Sequence, residues 1–211
     1  MNQLLTTIAD SLLNKNDFVN FYSQETVNPY IAVAAHGPWI ITSYGSVIYD
    51  VGGYGMLGLG HSPECLEKDL SDTSYVMANI MTPSFYHYDF TQKLKQEIGH
   101  NNKKTSWQKD LKFVCLNSGS EAMTLALRLS DAYSYNKDKK PMFLVLESGF
   151  HGRTDAPGQI SDSCLANYKK HLLSFKNKDN VITVKPNDCN ALEAAFEKSK
   201  NSNYFIQAFV M

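Results

Sequence analysis

Residues 111–127 read LKFVCLNSGSEAMTLAL, and the character of the sequence changes in the middle of this stretch. The first six residues form a short apolar run that is typical of a buried strand. From Ser120 onward, apolar side chains recur on nearly every side of a helix predicted over residues 120–133, which indicates that the helix is buried. Ser118 and Glu121 have the Ser-x-x-Glu spacing of a capping box. The stretch therefore predicts a strand, a tight turn and a buried helix.

The turn between this strand and helix is a candidate anion site. Gly119 and Ser120 occupy the first helical positions, where backbone N–H groups have no partner within the helix. A helix N-terminus at the C-terminal edge of a parallel sheet favours negative charge, and phosphates bind there. Glycine permits close approach, and the Ser120 hydroxyl adds a donor. We predict that Ser118, Gly119 and Ser120 cradle a phosphate; a well-capped helix without a ligand is the alternative.

Downstream of this stretch, strands alternate with helices. The predicted strands are 142–146, 181–184 and 204–210, and the predicted helices are 162–172 and one that Asp188 caps and that ends at Lys200. The strands are nearly continuous apolar runs, which is typical of strands buried on both faces. The sequence therefore predicts an α/β fold with a mostly parallel sheet covered by helices.

The N-terminal part of the chain has a less regular pattern. Helices are predicted at 4–13 and at 88–98, the second ending at Gly99. A further helix is predicted with Ser62 as its N-cap and Pro63 in its first turn. Two short strands are predicted within 38–51, around a turn at 43–45. The polar, lysine-rich segment 100–110 is predicted to be an exposed connection.

A second motif, FHGRT at residues 150–154, follows the predicted strand 142–146. The motif should lie at the same edge of the sheet as the candidate phosphate site. Phe150 offers a flat apolar face for stacking on a ring, His151 can form a hydrogen bond, and Arg153 is suited to a carboxylate. The alternative is a surface turn around a buried phenylalanine.

The glycine-rich stretch 52–60 contains a formal G-x-G-x-x-G at residues 53–58. A dinucleotide-binding fold requires this pattern to open a helix inside a βαβ unit. The predicted helix starts only after His61, so we interpret the match as fortuitous. An NAD-dependent oxidoreductase therefore stays a remote alternative, and the glycines are predicted to let the backbone approach a ligand or a neighbouring subunit.

Composition excludes several classes of protein. The chain has 211 residues with 43% hydrophobic and 19% charged residues and a net charge of -1, which is typical of a globular protein and not of a nucleic-acid-binding one. The four cysteines and six histidines have no metal-ligand spacing, so no metal site is predicted. The sequence shows neither a signal peptide nor a membrane-spanning run, which predicts a cytoplasmic protein.

Three segments in order, 49–63, 117–122 and 150–154, resemble class III pyridoxal-phosphate-dependent aminotransferases of the aspartate-aminotransferase fold, fold type I. The resemblance implies pyridoxal 5'-phosphate as cofactor and a homodimer as the full-length form. It also implies that residues 1–60 are an N-terminal segment belonging to the small domain. Residues 61–211 are then the cofactor-binding large domain, truncated at its C-terminal end.

The resemblance also implies roles for individual residues. Gly119 and Ser120, together with Ser118, hold the cofactor phosphate. Phe150 stacks on the pyridine ring and His151 lies at the cofactor, while Arg153 grips a substrate carboxylate. The implied activity is transfer of an amino group from an amine or amino acid to an oxo acid. An aminomutase or decarboxylase of the same family, and a non-catalytic remnant that binds phosphate or the cofactor, are alternatives.

Family members also need a lysine that bonds to the cofactor and an aspartate that pairs with the pyridine nitrogen. In the family, both lie beyond the position of the strand at 204–210, and Lys185 does not match the family lysine. We therefore expect this chain to be the N-terminal half of such an enzyme, to contain no catalytic residue and to be inactive alone.

Overall fold

The computed structural model describes residues 30–52, 57–71, 83–99 and 112–211. The chain folds as two compact units, Met1–Phe90 and Thr91–Met211. The helix predicted at 4–13, the connection predicted at 100–110 and part of the glycine-rich stretch lie outside the described residues. The family-domain boundary after residue 60 stays a prediction. None of the described helices is both long and apolar enough to cross a bilayer.

The first unit contains a three-stranded antiparallel sheet in the order β1-β2-β3. Its strands are β1 (Ala32–His36), β2 (Trp39–Thr42) and β3 (Val47–Tyr49). The predicted pair of strands is confirmed, since Trp39 is opposite Tyr49 and Ile41 is opposite Val47. The turn contains Gly45 with a φ of 82°, which suits glycine. The sequence analysis missed β1, whose small residues give no alternating pattern.

Two helices follow the sheet, α1 (Glu64–Leu70) and α2 (Phe85–Gly99). The prediction of Ser62 as N-cap of α1 is wrong, because Pro63 occupies that position. The Ser62 hydroxyl instead donates to the Ala35 carbonyl at 3.2 Å. The predicted end of α2 at Gly99 is confirmed, and the helix begins three residues earlier than predicted because the Ser84 hydroxyl oxygen accepts from the His87 N–H at 3.3 Å.

The second unit contains the parallel sheet that the sequence predicts. Its central strand β4 (Lys140–Leu146) pairs in parallel with β5 (Val181–Val184) on one side and with β6 (Tyr204–Val210) on the other. The helices are α3 (Gly119–Ser134), α4 (Asp155–Ile160), α5 (Asp162–His171) and α6 (Cys189–Lys200), with a short 3-10 turn at Leu173–Phe175. Asp188 caps α6 as predicted, since its carboxylate accepts from the Ala191 N–H at 2.9 Å.

The core of this unit lies on β4. Leu144 and Val145 are completely buried, and because successive strand residues point to opposite faces, β4 is covered on both faces. On one face Val145 forms an apolar cluster with Leu127 of α3 and Ile160 of α4. Burying such a side chain contributes roughly 1.5–3 kcal/mol. This packing fixes α3 and α4 against the sheet.

Two predictions at the start of this unit are wrong. Residues 112–116 belong to no hydrogen-bonded strand, and Val114 and Leu116 are 67% and 44% exposed. An apolar run forms a strand only where a neighbouring edge pairs with it, and none of the described strands does so. The helix α3 is not buried all round: Leu127 is its only buried residue, and Tyr133 is 90% exposed. Only one stripe of a helix faces a flat sheet.

A bulge joins α3 to β6. Met142 pairs with Ile206, whereas the next residue of β4 pairs with Ala208, so Gln207 is the extra residue. Its carbonyl accepts from the Ser130 hydroxyl at 3.4 Å, and its side-chain amide donates to Asp131. The bulge therefore ties the middle of α3 to the edge of the sheet.

Candidate cofactor site

The N-terminus of α3 is capped by the side chain of Ser118. Ser118 has an extended backbone, and its hydroxyl oxygen accepts from the Glu121 N–H at 3.2 Å, as the predicted cap requires. The Glu121 carboxylate accepts from the Ser118 hydroxyl at 3.3 Å instead of from the Ser118 backbone N–H of a full capping box. Within the described parts of the chain, the N–H groups of Gly119 and Ser120 meet no acceptor.

Gly119 has free space on the side where another residue would carry its side chain. A Cβ built on Gly119 would have no neighbour within 4 Å. The Ser120 hydroxyl oxygen accepts from the backbone N–H of Arg153 at 3.2 Å, so its own proton can still be donated to an anion. The helix end thus offers two backbone donors, one hydroxyl donor and the positive end of the helix dipole.

The FHGRT segment lies directly against this helix end. Gly152 has a φ of 125°, and a Cβ built on it would lie 2.6 Å from the Ser120 oxygen. The structure therefore brings the two motifs together, as the sequence predicts, through contacts of Ser120 with Gly152 and Arg153. It does so although residues 112–116, which precede the helix, are not in a strand.

His151 presents an unpaired nitrogen. Its Nε2 is shielded from solvent and has no hydrogen-bond partner among the described residues, while its backbone N–H donates to the Ser161 hydroxyl oxygen at 2.8 Å. Burial lowers the pKa of His151 below the ordinary value of 6.5, because desolvation disfavours the charged ring. The ring therefore keeps a buried nitrogen that no described polar group satisfies, and this nitrogen lies against Gly149, where a built Cβ would be 3.1 Å away.

Phe150 and Arg153 form a pair at the mouth of the site. Phe150 is 55% exposed, which corrects the alternative of a buried phenylalanine in a surface turn. The guanidinium carbon of Arg153 lies 5.8 Å from the centre of the Phe150 ring, within the range of a cation–π contact. The loop thus places an aromatic ring and a guanidinium group side by side.

Three consecutive residues that the sequence analysis missed hold this loop. They are Ser161, Asp162 and Ser163, which we call the anchor triplet, and Ser161 is completely buried. The sequence predicts only a helix over residues 162–172 here and gives these three side chains no role. Only the structure shows that their side chains bond to loop residues 148–152.

The first unit contains a separate pair, Asp50 and His61. The Asp50 carboxylate accepts from the Gly52 N–H at 2.7 Å and bonds to the His61 Nε2 at 2.8 Å, beside a cavity of about 450 Å³. Both contacts lower the pKa of Asp50, and the hydrogen bond from the Gly52 N–H has the larger effect. A Cβ on Gly60 would lie 2.8 Å from the Gly37 backbone, so at this position the close approach is to the same chain.

The donor set at the end of α3 fits a phosphate attached to a flat ring. Two backbone N–H groups and a hydroxyl suit the phosphate, and the exposed Phe150 and the unpaired His151 nitrogen suit a heteroaromatic ring beside it. The fold is that of the pyridoxal-phosphate-dependent transferases of fold type I. An amine transaminase from an uncultivated Pseudomonas species, solved in its PLP-bound form, matches with a TM-score of 0.65 and 14% identity, over 92% of this chain and 48% of that one.

The chain belongs to the class III aminotransferase family, whose model, Aminotransferase class-III, matches residues 21–209. The glutamate-1-semialdehyde 2,1-aminomutase of Saccharolobus islandicus (strain L.S.2.15 / Lassen #1) is 27% identical over 176 residues, covering 83% of this chain and 38% of that protein. The acetylornithine aminotransferase of Nitrosomonas europaea is 31% identical over 130 residues, which cover 61% of this chain and 31% of that protein. The chain therefore spans less than two fifths of the length of these curated relatives.

Proposed function

We propose that this chain binds pyridoxal 5'-phosphate for an enzyme that transfers an amino group from an amine or amino acid to an oxo acid. The observation that carries the proposal is the N-terminus of α3. The N–H groups of Gly119 and Ser120 meet no acceptor in the described parts of the chain, and the FHGRT loop is packed beside them through Gly152 and Ser120.

Each predicted site residue has a role in this proposal. The N–H groups of Gly119 and Ser120 bind the phosphate, and Ser118 holds the helix end in place. Phe150 stacks on the ring and His151 Nε2 bonds to a polar group of the cofactor, while Arg153 binds the substrate carboxylate. When bound, the pyridoxal ring supplies an electron sink for breaking a bond at the substrate carbon that carries the amino group.

The proposal extends to assembly and location. We propose a homodimer for the full enzyme and a cytoplasmic location, with residues 1–60 in a small domain and residues 61–211 in the large, cofactor-binding domain. Family membership supports the assembly and the domains. Light scattering on the full-length enzyme tests the assembly, and a monomer over a range of concentrations would contradict it.

The chemistry of the 211 residues by themselves is a separate point. Lys185 does not match the family lysine, so we propose that this polypeptide alone binds the cofactor without a covalent bond and does not transaminate. The test is to add pyridoxal 5'-phosphate to the purified protein and follow binding by calorimetry. The mixture of protein and cofactor is then treated with borohydride, and mass spectrometry shows whether the cofactor has become covalently attached. Binding without a borohydride-trapped adduct is expected, whereas no binding would sink the proposed function.

A second candidate is an aminomutase, which moves an amino group within one molecule. The alignment with the aminomutase relatives covers more of this chain than the alignment with acetylornithine aminotransferase. An aminomutase needs no separate oxo acid. Product analysis of a holoenzyme that carries these residues together with the family lysine, with and without added oxo acid, separates the two functions.

A further inference from the structure

The loop that carries Phe150 has a backbone that needs external support. Ser148 has a φ of 61° and Gly152 a φ of 125°, two conformations that L side chains rarely adopt. A segment with such turns keeps one shape only where its surroundings fix it. Besides the contact of Gly152 and Arg153 with Ser120, the supports are three consecutive residues at the start of α5.

Asp162 and Ser163 hold the first half of the loop. The Asp162 carboxylate accepts from the Ser148 N–H at 2.7 Å, directly at the positive-φ residue. The Ser163 hydroxyl donates to the Gly149 carbonyl at 3.1 Å, and the Ser163 N–H donates to the same carbonyl at 3.2 Å. The turn that leaves β4 is therefore fixed on both of its residues.

Ser161 holds the second half. Its hydroxyl oxygen accepts from the His151 N–H at 2.8 Å and lies 2.9 Å from the carbonyl oxygens of Gly152 and Pro157, the two acceptors for its proton. One completely buried hydroxyl thus accepts from the His151 N–H and lies within hydrogen-bond distance of the carbonyl of the next residue, Gly152. Gly152 is the residue that lies against Ser120.

We propose that Ser161, Asp162 and Ser163 are positioning residues of the cofactor site. They hold the loop so that Phe150 lies beside the N-terminus of α3 and can stack on the cofactor ring. The inference rests on the proposed function. It adds that ring binding depends on the anchor triplet, whereas phosphate binding depends on α3, whose donors the triplet does not touch.

The test separates these two parts of the ligand. Calorimetry measures the affinity of the whole chain for pyridoxal 5'-phosphate and for inorganic phosphate, in wild type and in Ser161→Ala. We expect pyridoxal 5'-phosphate affinity to fall about ten-fold, because ring stacking is lost, while phosphate affinity changes by less than about three-fold. Ser130→Ala is the matched control, since it removes a serine hydroxyl bond between α3 and β6, away from the loop.

A second variant keeps the inference testable if Ser161→Ala does not fold. Asp162→Ala removes the acceptor of the Ser148 N–H, and Asp188→Ala is its control, because Asp188 accepts one backbone N–H at the start of another helix. Equal pyridoxal 5'-phosphate affinity in the wild type and in both triplet variants would overturn the inference. An equal loss of affinity for inorganic phosphate and for pyridoxal 5'-phosphate would also overturn the inference, because it would indicate a merely structural role.

A spectroscopic signal of His151 tests the positioning without any ligand. In Ser161→Ala the released loop should expose the ring, so the pKa of His151 measured by NMR should rise toward its ordinary value, and Ser130→Ala should leave it unchanged. An unchanged His151 titration in Ser161→Ala also overturns the inference. If the wild type binds neither ligand, the proposed function fails, and this titration still decides whether Ser161 positions the loop.

Discussion

Gly152 and Ser120 are in contact across the candidate site, and no side chain fits between them. A Cβ on Gly152 would lie 2.6 Å from the Ser120 Oγ and 3.0 Å from the Ser120 Cα. The next residue donates its backbone N–H to the same Ser120 oxygen. The loop with the aromatic ring and the N-terminus of α3 are therefore packed directly against each other.

The first prediction concerns this contact. Gly152→Ala should destabilise the protein by about 2–4 kcal/mol, since it combines an unfavourable φ with a steric clash. Urea unfolding measures the loss. The control is Gly119→Ala, whose Cβ would have no neighbour within 4 Å and which should change stability by less than about 1 kcal/mol. Equal stabilities of the two variants would contradict the contact.

The second prediction separates the cap from the anion site. Ser118→Ala should lose about 1 kcal/mol of stability, because the Glu121 N–H loses its acceptor. Ser118→Asp should keep the cap and the stability, because aspartate is an equally good N-cap. Its charge should nevertheless weaken inorganic phosphate binding by about ten-fold or more. Unchanged phosphate affinity in Ser118→Asp would show that the anion does not bind at this helix end.

The third prediction concerns the aromatic ring. Phe150 is 55% exposed, so Phe150→Leu should cost less than about 1 kcal/mol of stability. The flat face is lost, and we expect pyridoxal 5'-phosphate affinity to fall about five- to ten-fold without a change in phosphate affinity. Calorimetry with both ligands checks this. A matched control is Leu173→Ala, which removes an exposed apolar side chain from the 3-10 turn and should affect neither ligand.

The fourth prediction is a pH dependence in the first unit. The pKa of Asp50 lies below its ordinary value of 3.8, so the folded state favours the charged carboxylate. The stability this contributes is present above the ordinary pKa and is lost as the pH falls through the lowered one. Asp50→Asn should therefore melt at a lower temperature than wild type at pH 7, and the gap should narrow below about pH 4. A difference in melting temperature that does not change with pH would show that the charge of the Asp50 carboxylate does not contribute to stability.

Local signals explain which elements could be predicted from the sequence. The caps at Ser118 and Asp188 bond to residues three positions away, so their pattern is visible in the sequence itself. The strands β4, β5 and β6 are apolar runs that are distinct from their polar surroundings. The run that contains Val114 looks the same, but a strand also needs a neighbouring edge, and the sequence does not show which edges are free.

The residues that we propose to face the ligand could be predicted from the sequence, whereas the residues that hold them in place could not. Gly119, Ser120 and Phe150 belong to short motifs whose chemistry is readable from residue types. Ser161 has no such signal, because its role depends on a loop that turns back after β4. Its burial and its bonds to His151 exist only once the loop is folded.

The anchor triplet also has a consequence for the order of folding. Its side-chain bonds to the loop close segments of only 9 to 14 residues, whereas the bond from Arg153 to Ser120 closes one of 33 residues. Short closures lose less chain entropy and form faster. We therefore expect the loop to take its shape within residues 148–163 before it docks on α3.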